Sequence, residues 1–224
     1  NLCRRKELYT CLQSNLANPH IDAIYNFIEK GSDIPNDIKE HPKHNAIYLK
    51  TKKRITFKDF FLFIKKKFTK NTIVCICNND IIIDKRKNSK WGTIKESFFK
   101  ANKHPKVLNL SRIEILKGNR KRPNGHFSSY SSDAWVLKTP LLFIPDTRFG
   151  IGTLYSDWAI AGRFDKAGYH VYNWAQVYQI YHLDLCLARE GRHPTKKKHI
   201  ESNSPESARK RLFICPFLDY NFYL

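Results

Sequence analysis

The residues whose side chains are most suited to chemistry follow an apolar run. Residues 71–77, NTIVCIC, have the near-continuous hydrophobicity of a central strand covered by helices on both faces. Asn78, Asn79 and Asp80 come directly after this run. A carboxylate placed there can hold Mg²⁺ or Mn²⁺, and the cation can bind a diphosphate. A second interpretation stays open, because Asn and Asp are also common at strand ends, where their side chains bond the nearby backbone.

The elements that must position these side chains alternate between helix and strand. We predict helices at 4–17, at 57–68 with Thr56 as the cap, around 91–101 and at 156–168. We predict strands at 21–29, 45–50, 71–77, 106–111 and 133–138, and two more within 169–184, with a polar loop at 118–132. This alternation indicates an α/β protein with a mixed, mainly parallel sheet flanked by helices. In such sheets ligands bind beyond the carboxyl ends of the strands, where Asp80 is expected.

The charge is unusual for a chain of 224 residues, a length that fits one domain over 1–224. The 40 lysines and arginines against 20 acidic residues give a net charge of +20. Such an excess attracts polyanions, whether nucleic acid, anionic lipid or a phosphorylated small molecule. The basic clusters are scattered, and we find no helix-turn-helix, zinc-finger or RNP-type motif, so no nucleic-acid partner is expected.

The six cysteines lack the spacing of a zinc site, and the favoured interpretation is reduced thiols in a cytosolic protein. No apolar run approaches the ~20 residues of a membrane span. The first residues, NLCRRKELYTC, also lack the apolar core of a signal peptide. We therefore expect no transmembrane segment and a cytoplasmic location, which would be the host cytoplasm if the protein is viral.

Several segments in order resemble the GT-A-type glycosyltransferases. They are RKELYTCLQSNL, NNDIIID, LSRIEIL, SSDAWVLKTPL and FGIGTLYSDWAIAGRFDKAGYHVYN with the later IYHLD. The resemblance covers residues 4 to about 190. It implies a GT-A-like, Rossmann-type fold and a metal-dependent transfer of a sugar from a nucleotide-sugar, a UDP-sugar in our interpretation. The acceptor would be the hydroxyl of a glycan or glycoprotein, in glycan assembly on a viral or cell-surface glycoprotein.

The resemblance also implies roles for single residues. Asp80, with Asn79 before it, matches the acidic motif that binds the metal and the donor, although Asn78 stands where the usual Asp-x-Asp has its first carboxylate. Arg112 would meet the donor diphosphate, and His182 would complete the metal site. The implied cofactor is Mn²⁺ or Mg²⁺.

Two further carboxylates are candidates for catalysis. The resemblance makes Asp133 a contact of the sugar, and it places Asp157 at a helix start that faces the acceptor. An attacking hydroxyl must lose its proton, and we predict Asp157 as the general base, with Asp133 as the second choice. A direct displacement with one base would invert the anomeric configuration.

Each assignment has a structural alternative. Asp157 could cap a helix, Asp133 could brace a loop, His182 could be a core histidine and Arg112 a surface cation. Two other functions therefore remain: a basic nucleic-acid-binding module, and an inactive glycosyltransferase-like scaffold, which the amide at Asn78 makes plausible.

Overall fold

A computed structural model gives the fold. It describes residues 2–50, 54–100, 104–116, 120–123, 132–153, 155–185 and 213–214. The helices are α1 (Leu2–Leu16), α2 (Asn36–Lys39), α3 (Phe57–Lys67), α4 (Ile94–Ser97) and α5 (Ser156–Lys166), with a 3₁₀ turn at Lys90–Thr93. The strands are β1 (Ile24–Ile28), β2 (His44–Tyr48), β3 (Ile73–Cys77), β4 (Ile81–Ile83), β5 (Lys106–Leu110), β6 (Ile113–Leu116), β7 (Arg120–Pro123), β8 (Ala134–Lys138), β9 (His170–Asn173), β10 (Ile180–Asp184) and β11 (Phe213–Ile214).

The largest sheet is mixed. Its five strands lie in the order β11, β9, β5, β8, β3, and β8 runs antiparallel to both of its neighbours. Among the strand pairs of the described residues, four are parallel and four antiparallel. The chain is therefore an α/β protein as predicted, but the described sheets do not have the parallel majority that we expected.

Strand β3 is covered on both faces, yet it is not central. Val74 and Ile76 enter a core with Phe57 and Trp135, while Cys75 packs against the core on the opposite face. Among the described residues, β3 pairs only with β8, at one end of the sheet order. The prediction of a central strand was wrong because burial of both faces reports the layers above and below a strand, not its neighbours within the sheet.

Two smaller sheets complete the described strands. Strands β1 and β2 pair in parallel, and a four-stranded sheet has the order β4, β10, β6, β7. Strand β7, Arg120–Pro123, lies inside the segment that we predicted as a loop. Its polar sequence, RKRP, has no apolar alternation, and pairing with β6 gives it its conformation. The rest of the predicted loop lies outside the described residues, apart from Ser132.

Helix α3 follows its prediction closely. Thr56 forms a capping box with Asp59, since each side chain bonds the backbone N–H of the other residue. Phe57, Phe61 and Ile64 are buried against the five-stranded sheet. The predicted helix near 91–101 is shorter, because the 3₁₀ turn leads only into the four residues of α4.

Helix α1 attaches to β4 through buried amides. Asn15 donates to the carbonyl of Ile81 at 2.8 Å and accepts from the N–H of Ile83 at 2.9 Å. Asn18 donates to the carbonyl of Ile83 at 3.0 Å. These bonds satisfy backbone groups along one edge of a three-residue strand, so they fix α1 beside the turn that carries Asp80.

The cysteines differ in part from expectation. Cys11, Cys75 and Cys77 are free thiols, but Cys3 is disulfide-bonded. The prediction of reduced thiols was wrong for Cys3, because local spacing does not reveal a cross-link formed by the fold. Within the described part of the chain, no helix has the length and apolar character needed to cross a membrane.

Candidate functional site

Polar side chains gather where β3 and β5 end and β8 begins. Because β8 is antiparallel to both strands, its first residues lie beside their carboxyl ends. The N–H of Asn78 donates to the carbonyl of Asp133 at 3.3 Å, and the N–H of Asp133 donates to the carbonyl of Leu110 at 2.9 Å. Two segments far apart in sequence, Asn78 with its turn and Ser132-Asp133, therefore meet at one edge of the sheet, where an α/β protein is expected to bind its ligand.

The Asp133 carboxylate is held by two donors. Arg112 Nη1 donates to Asp133 Oδ1 at 2.7 Å, and Asn78 Nδ2 donates to the same oxygen at 3.2 Å. Arg112 Nη2 donates to Glu114 Oε1 at 3.0 Å. Burial disfavours the charge of Arg112, but the two carboxylates outweigh burial and raise its pKa. The guanidinium therefore links two acids and remains charged.

One acceptor and one donor of this group have no hydrogen-bond partner among the described residues. They are Asp133 Oδ2 and Arg112 Nε, both buried. Buried polar atoms in native proteins are nearly always bonded to protein or to solvent. A ligand hydroxyl can accept from one atom and donate to the other, so the pair has the chemistry of a sugar contact.

Asp157 lies beside this group at the start of α5. Its Oδ2 accepts from the N–H of Ser132 at 3.3 Å, and Ser132 immediately precedes Asp133 in the chain. Burial, helped by the negative charge of Asp133, raises the pKa of Asp157 from 3.8 to about 6, although backbone hydrogen bonds at Trp158 and Ser132 act in the opposite direction. A carboxylate with such a pKa can accept a proton near neutral pH.

The segment before α5 passes the same edge. Gly152 has φ +69°, and a methyl group added there would lie 3.6 Å from Asn78 Oδ1. Tyr155, the residue before the first turn of α5, has φ 63°, a left-handed conformation that non-glycine residues seldom adopt. The local backbone strain lies two residues from Asp157, and such strain is frequent at functional sites.

Asp80 belongs to a neighbouring buried network. Its Oδ2 accepts from Arg4 Nη2 at 2.5 Å and lies 3.2 Å from His182 Nε2. Arg4 Nη1 also bonds Glu7 Oε2 at 3.0 Å, and Glu7 Oε1 accepts from the N–H of Leu185 at 2.6 Å. Burial disfavours the charged form of Asp80, but His182 and Arg4 outweigh this effect and hold the pKa of Asp80 below its ordinary value. Asp80 is thus an ionised carboxylate that is only 4% exposed.

The predicted metal ligands do meet, and Arg4 accompanies them. Asp80 and His182 supply one oxygen and one nitrogen, ligand types that Mn²⁺ accepts. Among the described residues, however, no three His, Cys, Asp or Glu side chains form a group that could hold a metal. The Arg4 guanidinium bonds the Asp80 oxygen that also faces His182, and its side chain is 32% exposed. A divalent cation fits Asp80 and His182 only if Arg4 first turns away from the carboxylate.

The predicted residues thus form two groups. Asp133, Arg112 and Asp157 lie at the edge of the five-stranded sheet, with Asn78 between Asp133 and the turn. Asp80 and His182 form the second group. Asn79, predicted to bind the donor, is exposed in the turn between β3 and β4 and makes no side-chain hydrogen bond with another described residue.

Three participating residues escaped the prediction. Arg4 and Glu7 lie three positions apart on α1, a spacing that places both on one helix face. Glu114 follows Arg112 by two positions, the spacing that puts side chains on one face of a strand. These spacings are visible in the sequence. The acids that the two arginines contact, Asp80 and Asp133, are distant from them in the sequence.

No family model matches the chain, and no curated protein matches it either. The resemblance to GT-A-type glycosyltransferases therefore stays a prediction from the quoted segments.

Proposed function

We propose that this protein is a GT-A-like glycosyltransferase that moves a sugar from a nucleotide-sugar, a UDP-sugar, to an acceptor hydroxyl on a glycan or glycoprotein. The observation that carries this proposal is the Asp157 carboxylate. It is half-buried, it lies beside Asp133 at the carboxyl edge of the sheet, and its pKa is raised to about 6. Perturbed acids in such positions are candidates for proton transfer.

Asp157 would act as the general base. The acceptor hydroxyl attacks the anomeric carbon, and its proton passes to the Asp157 carboxylate while the bond to the nucleoside diphosphate breaks. A base must be ionised to act, so turnover should rise as the pH increases through about 6. One displacement at the anomeric carbon inverts its configuration, and we propose an inverting reaction.

Asp133 and Arg112 would orient the donor sugar. Asn78 and Arg112 hold one oxygen of Asp133, which leaves Oδ2 and Arg112 Nε for a sugar hydroxyl. Since both carboxylate bonds of Arg112 use its Nη atoms, we assign its contact to the sugar rather than to the diphosphate. A fixed carboxylate and guanidinium position a substrate at little entropic cost.

Asp80 and His182 would hold Mn²⁺ or Mg²⁺ once Arg4 has turned away, with Asn79 exposed beside them toward the donor. A cation held there would neutralise negative charge on the leaving diphosphate. The side chain of Arg4 is partly exposed and can turn toward solvent, at the cost of its bonds to Asp80 and Glu7. The cytoplasmic location expected from the sequence stays a prediction, and the disulfide at Cys3 is more typical of an oxidising compartment.

Release of UDP from a panel of UDP-sugars tests the proposal, with MnCl₂ present and absent. We expect release from at least one donor, strong loss of release in Asp157→Asn, and UDP binding that the same variant retains, because the base does not contact the nucleotide. Asp22→Asn, at an exposed position, is the matched control. Normal turnover of Asp157→Asn would show that Asp157 is not the general base.

The rival functions give different results. A scaffold without activity would bind UDP, detected as a raised melting temperature, and release none from any donor. A nucleic-acid-binding module would ignore UDP and bind oligonucleotides with a steep dependence on salt. Either result would reject the proposed transfer reaction.

A further inference from the structure

A compact apolar projection lies on the surface at the far end of β8. Leu142 is 41% exposed and Phe143 is 77% exposed. The residues on either side of them, Leu141 and Ile144, are buried in the core beside α3. The N–H of Leu142 also donates to the hydroxyl of Tyr169 at 2.9 Å. The loop is therefore anchored at both ends, and the exposure of its two middle side chains is fixed by the fold.

The outer face of α3 extends this projection. Lys65 Nζ lies 5.8 Å from the centre of the Phe143 ring, so the helix and the loop are in contact. Leu62, one turn before Lys65 and Lys66, is 55% exposed. Single exposed apolar residues are ordinary, but Leu142 and Phe143 are neighbours, and Leu62 lies one turn from Lys65, which contacts Phe143. We call these three side chains the apolar patch.

Basic side chains adjoin the patch. Lys65 and Lys66 are exposed, whereas Lys67 lies over the Tyr25 ring, and the exposed acids Asp59 and Asp146 lie just outside residues 60–70 and 141–145. Lysines in the last turn of a helix complement its dipole, which accounts for part of this charge. The dipole does not account for the exposed apolar side chains near Lys65 and Lys66.

We infer that the patch of Leu62, Leu142 and Phe143, bordered by Lys65 and Lys66, docks the protein on an anionic membrane surface. Apolar side chains inserted at the headgroup level, together with nearby lysines, are the two features that peripheral membrane binding combines. Leucine side chains offer no flat face for stacking on bases, and Lys65 lies over the one aromatic ring. The chemistry therefore favours lipid over nucleic acid.

The patch and the candidate site lie at opposite ends of one strand. Asp133 precedes β8, whereas the loop with Leu142 and Phe143 follows it. Five residues of strand separate the two ends by roughly 16 Å. A membrane that contacts Phe143 would therefore leave the Asp133 edge accessible, and the docking surface does not depend on the proposed reaction.

Cosedimentation of the full chain with vesicles tests the inference. We expect binding to vesicles of phosphatidylcholine mixed with phosphatidylserine, and little binding to phosphatidylcholine alone. Phe143→Ser should lower the affinity about tenfold or more, because it removes the most exposed apolar side chain of the patch. Lys65→Glu and Lys66→Glu should each lower it at least about fivefold.

Matched controls separate the patch from general stickiness and charge. Leu2→Ser removes an apolar side chain that is 85% exposed elsewhere, and Lys85→Glu with Lys87→Glu changes another exposed basic cluster. Both should bind as the parent protein does. Circular dichroism of every variant checks that the fold is kept, as expected for exposed positions.

Three outcomes would overturn membrane docking. The first is equal binding of the parent protein and Phe143→Ser to the anionic vesicles. The second is that Phe143→Ser loses binding to a duplex oligonucleotide and keeps binding to vesicles. The third is a dimer in size-exclusion chromatography with light scattering that Phe143→Ser converts to a monomer, because a second copy would then cover the patch.

Discussion

Replacing Asp157 with asparagine should stabilise the protein at neutral pH while it removes activity. The pKa of Asp157 rises from 3.8 in its ordinary state to about 6 in the fold, chiefly through burial. At about 1.4 kcal/mol per pKa unit, this rise costs the folded state about 3 kcal/mol once the carboxyl is ionised. An amide carries no such cost, and its oxygen can still accept from the N–H of Ser132.

The pH dependence follows from which state binds the proton. Between about pH 4 and pH 6 the folded protein keeps a proton on Asp157 that the unfolded chain has lost, so this group makes stability fall as the pH rises. Above about pH 6 the whole penalty is present. The asparagine variant should therefore gain stability over the parent at pH 8 and none at pH 4.

Other effects of the substitution reduce the expected gain. A negative charge in the first turn of α5 favours the helix by up to about 1 kcal/mol, and the substitution loses this contribution. The amide oxygen is also a weaker acceptor than a carboxylate. We expect a net rise in the free energy of unfolding of about 1–2 kcal/mol at pH 8.

Urea denaturation followed by tryptophan fluorescence measures this free energy at both pH values. Asp22→Asn, at an exposed site, should change it by less than about 0.5 kcal/mol. A loss of stability in Asp157→Asn at pH 8 would show that Asp157 serves mainly to start α5, and the argument for a functional carboxylate would fail.

Two other substitutions examine the supporting structure. Arg4→Gln should lower the free energy of unfolding by about 1–2 kcal/mol at pH 7, less than for a fully buried pair because Arg4 is partly exposed. Since the pKa of Asp80 is lowered in the fold, this loss of stability should shrink as acid protonates Asp80. MnCl₂ should raise the melting temperature of Arg4→Gln more than that of the parent protein. Equal shifts would contradict competition between Arg4 and the metal. Thr56→Ala should cost about 1 kcal/mol in urea denaturation by removing one half of the capping box with Asp59, whereas Thr69→Ala, at an exposed position, should cost little.

Local signals predicted α3 and β8 well, whereas α2, β4 and β6 were not predicted. Thr56, the apolar stripe that begins at Phe57 and the basic last turn are all adjacent in sequence, and α3 forms where they indicate. The segment at 133–138 likewise forms β8. These features depend on bonds and packing within one or two helical turns or along one strand, so the sequence contains nearly all the information.

Pairing between distant segments was much harder to predict. The apolar run of β3 looked like a central strand, yet β3 lies at one end of the described sheet order because β8 turns back antiparallel between β3 and β5. Strand β7 has no apolar pattern and exists through its pairing with β6. The neighbours of a strand in a sheet depend on contacts between residues far apart in the sequence. Hydrophobic periodicity gives no information about these contacts.

The structure brings several of the predicted site residues together, while their roles stay predictions. Asp133, Arg112 and Asp157 do meet, and Asp80 does meet His182. Their charge partners were missing from the prediction, since nothing near Asp80 in the sequence points to Arg4, 76 residues earlier. Without partners, neither the lowered pKa of Asp80 nor the raised pKa of Asp157 could be inferred.

Strands β6 and β10 place the two groups side by side. His182 on β10 is the register partner of Glu114 on β6, and Glu114 bonds Arg112, which bonds Asp133. Register partners on parallel strands point to the same face, so the network around Asp80 and the edge around Asp133 border each other. The proposed reaction requires this proximity, because the leaving diphosphate and the transferred sugar are covalently joined in the donor and must be held at adjoining positions. If the two groups act on one bound donor, Glu114→Gln should lower the affinity for UDP and the turnover rate by the same factor.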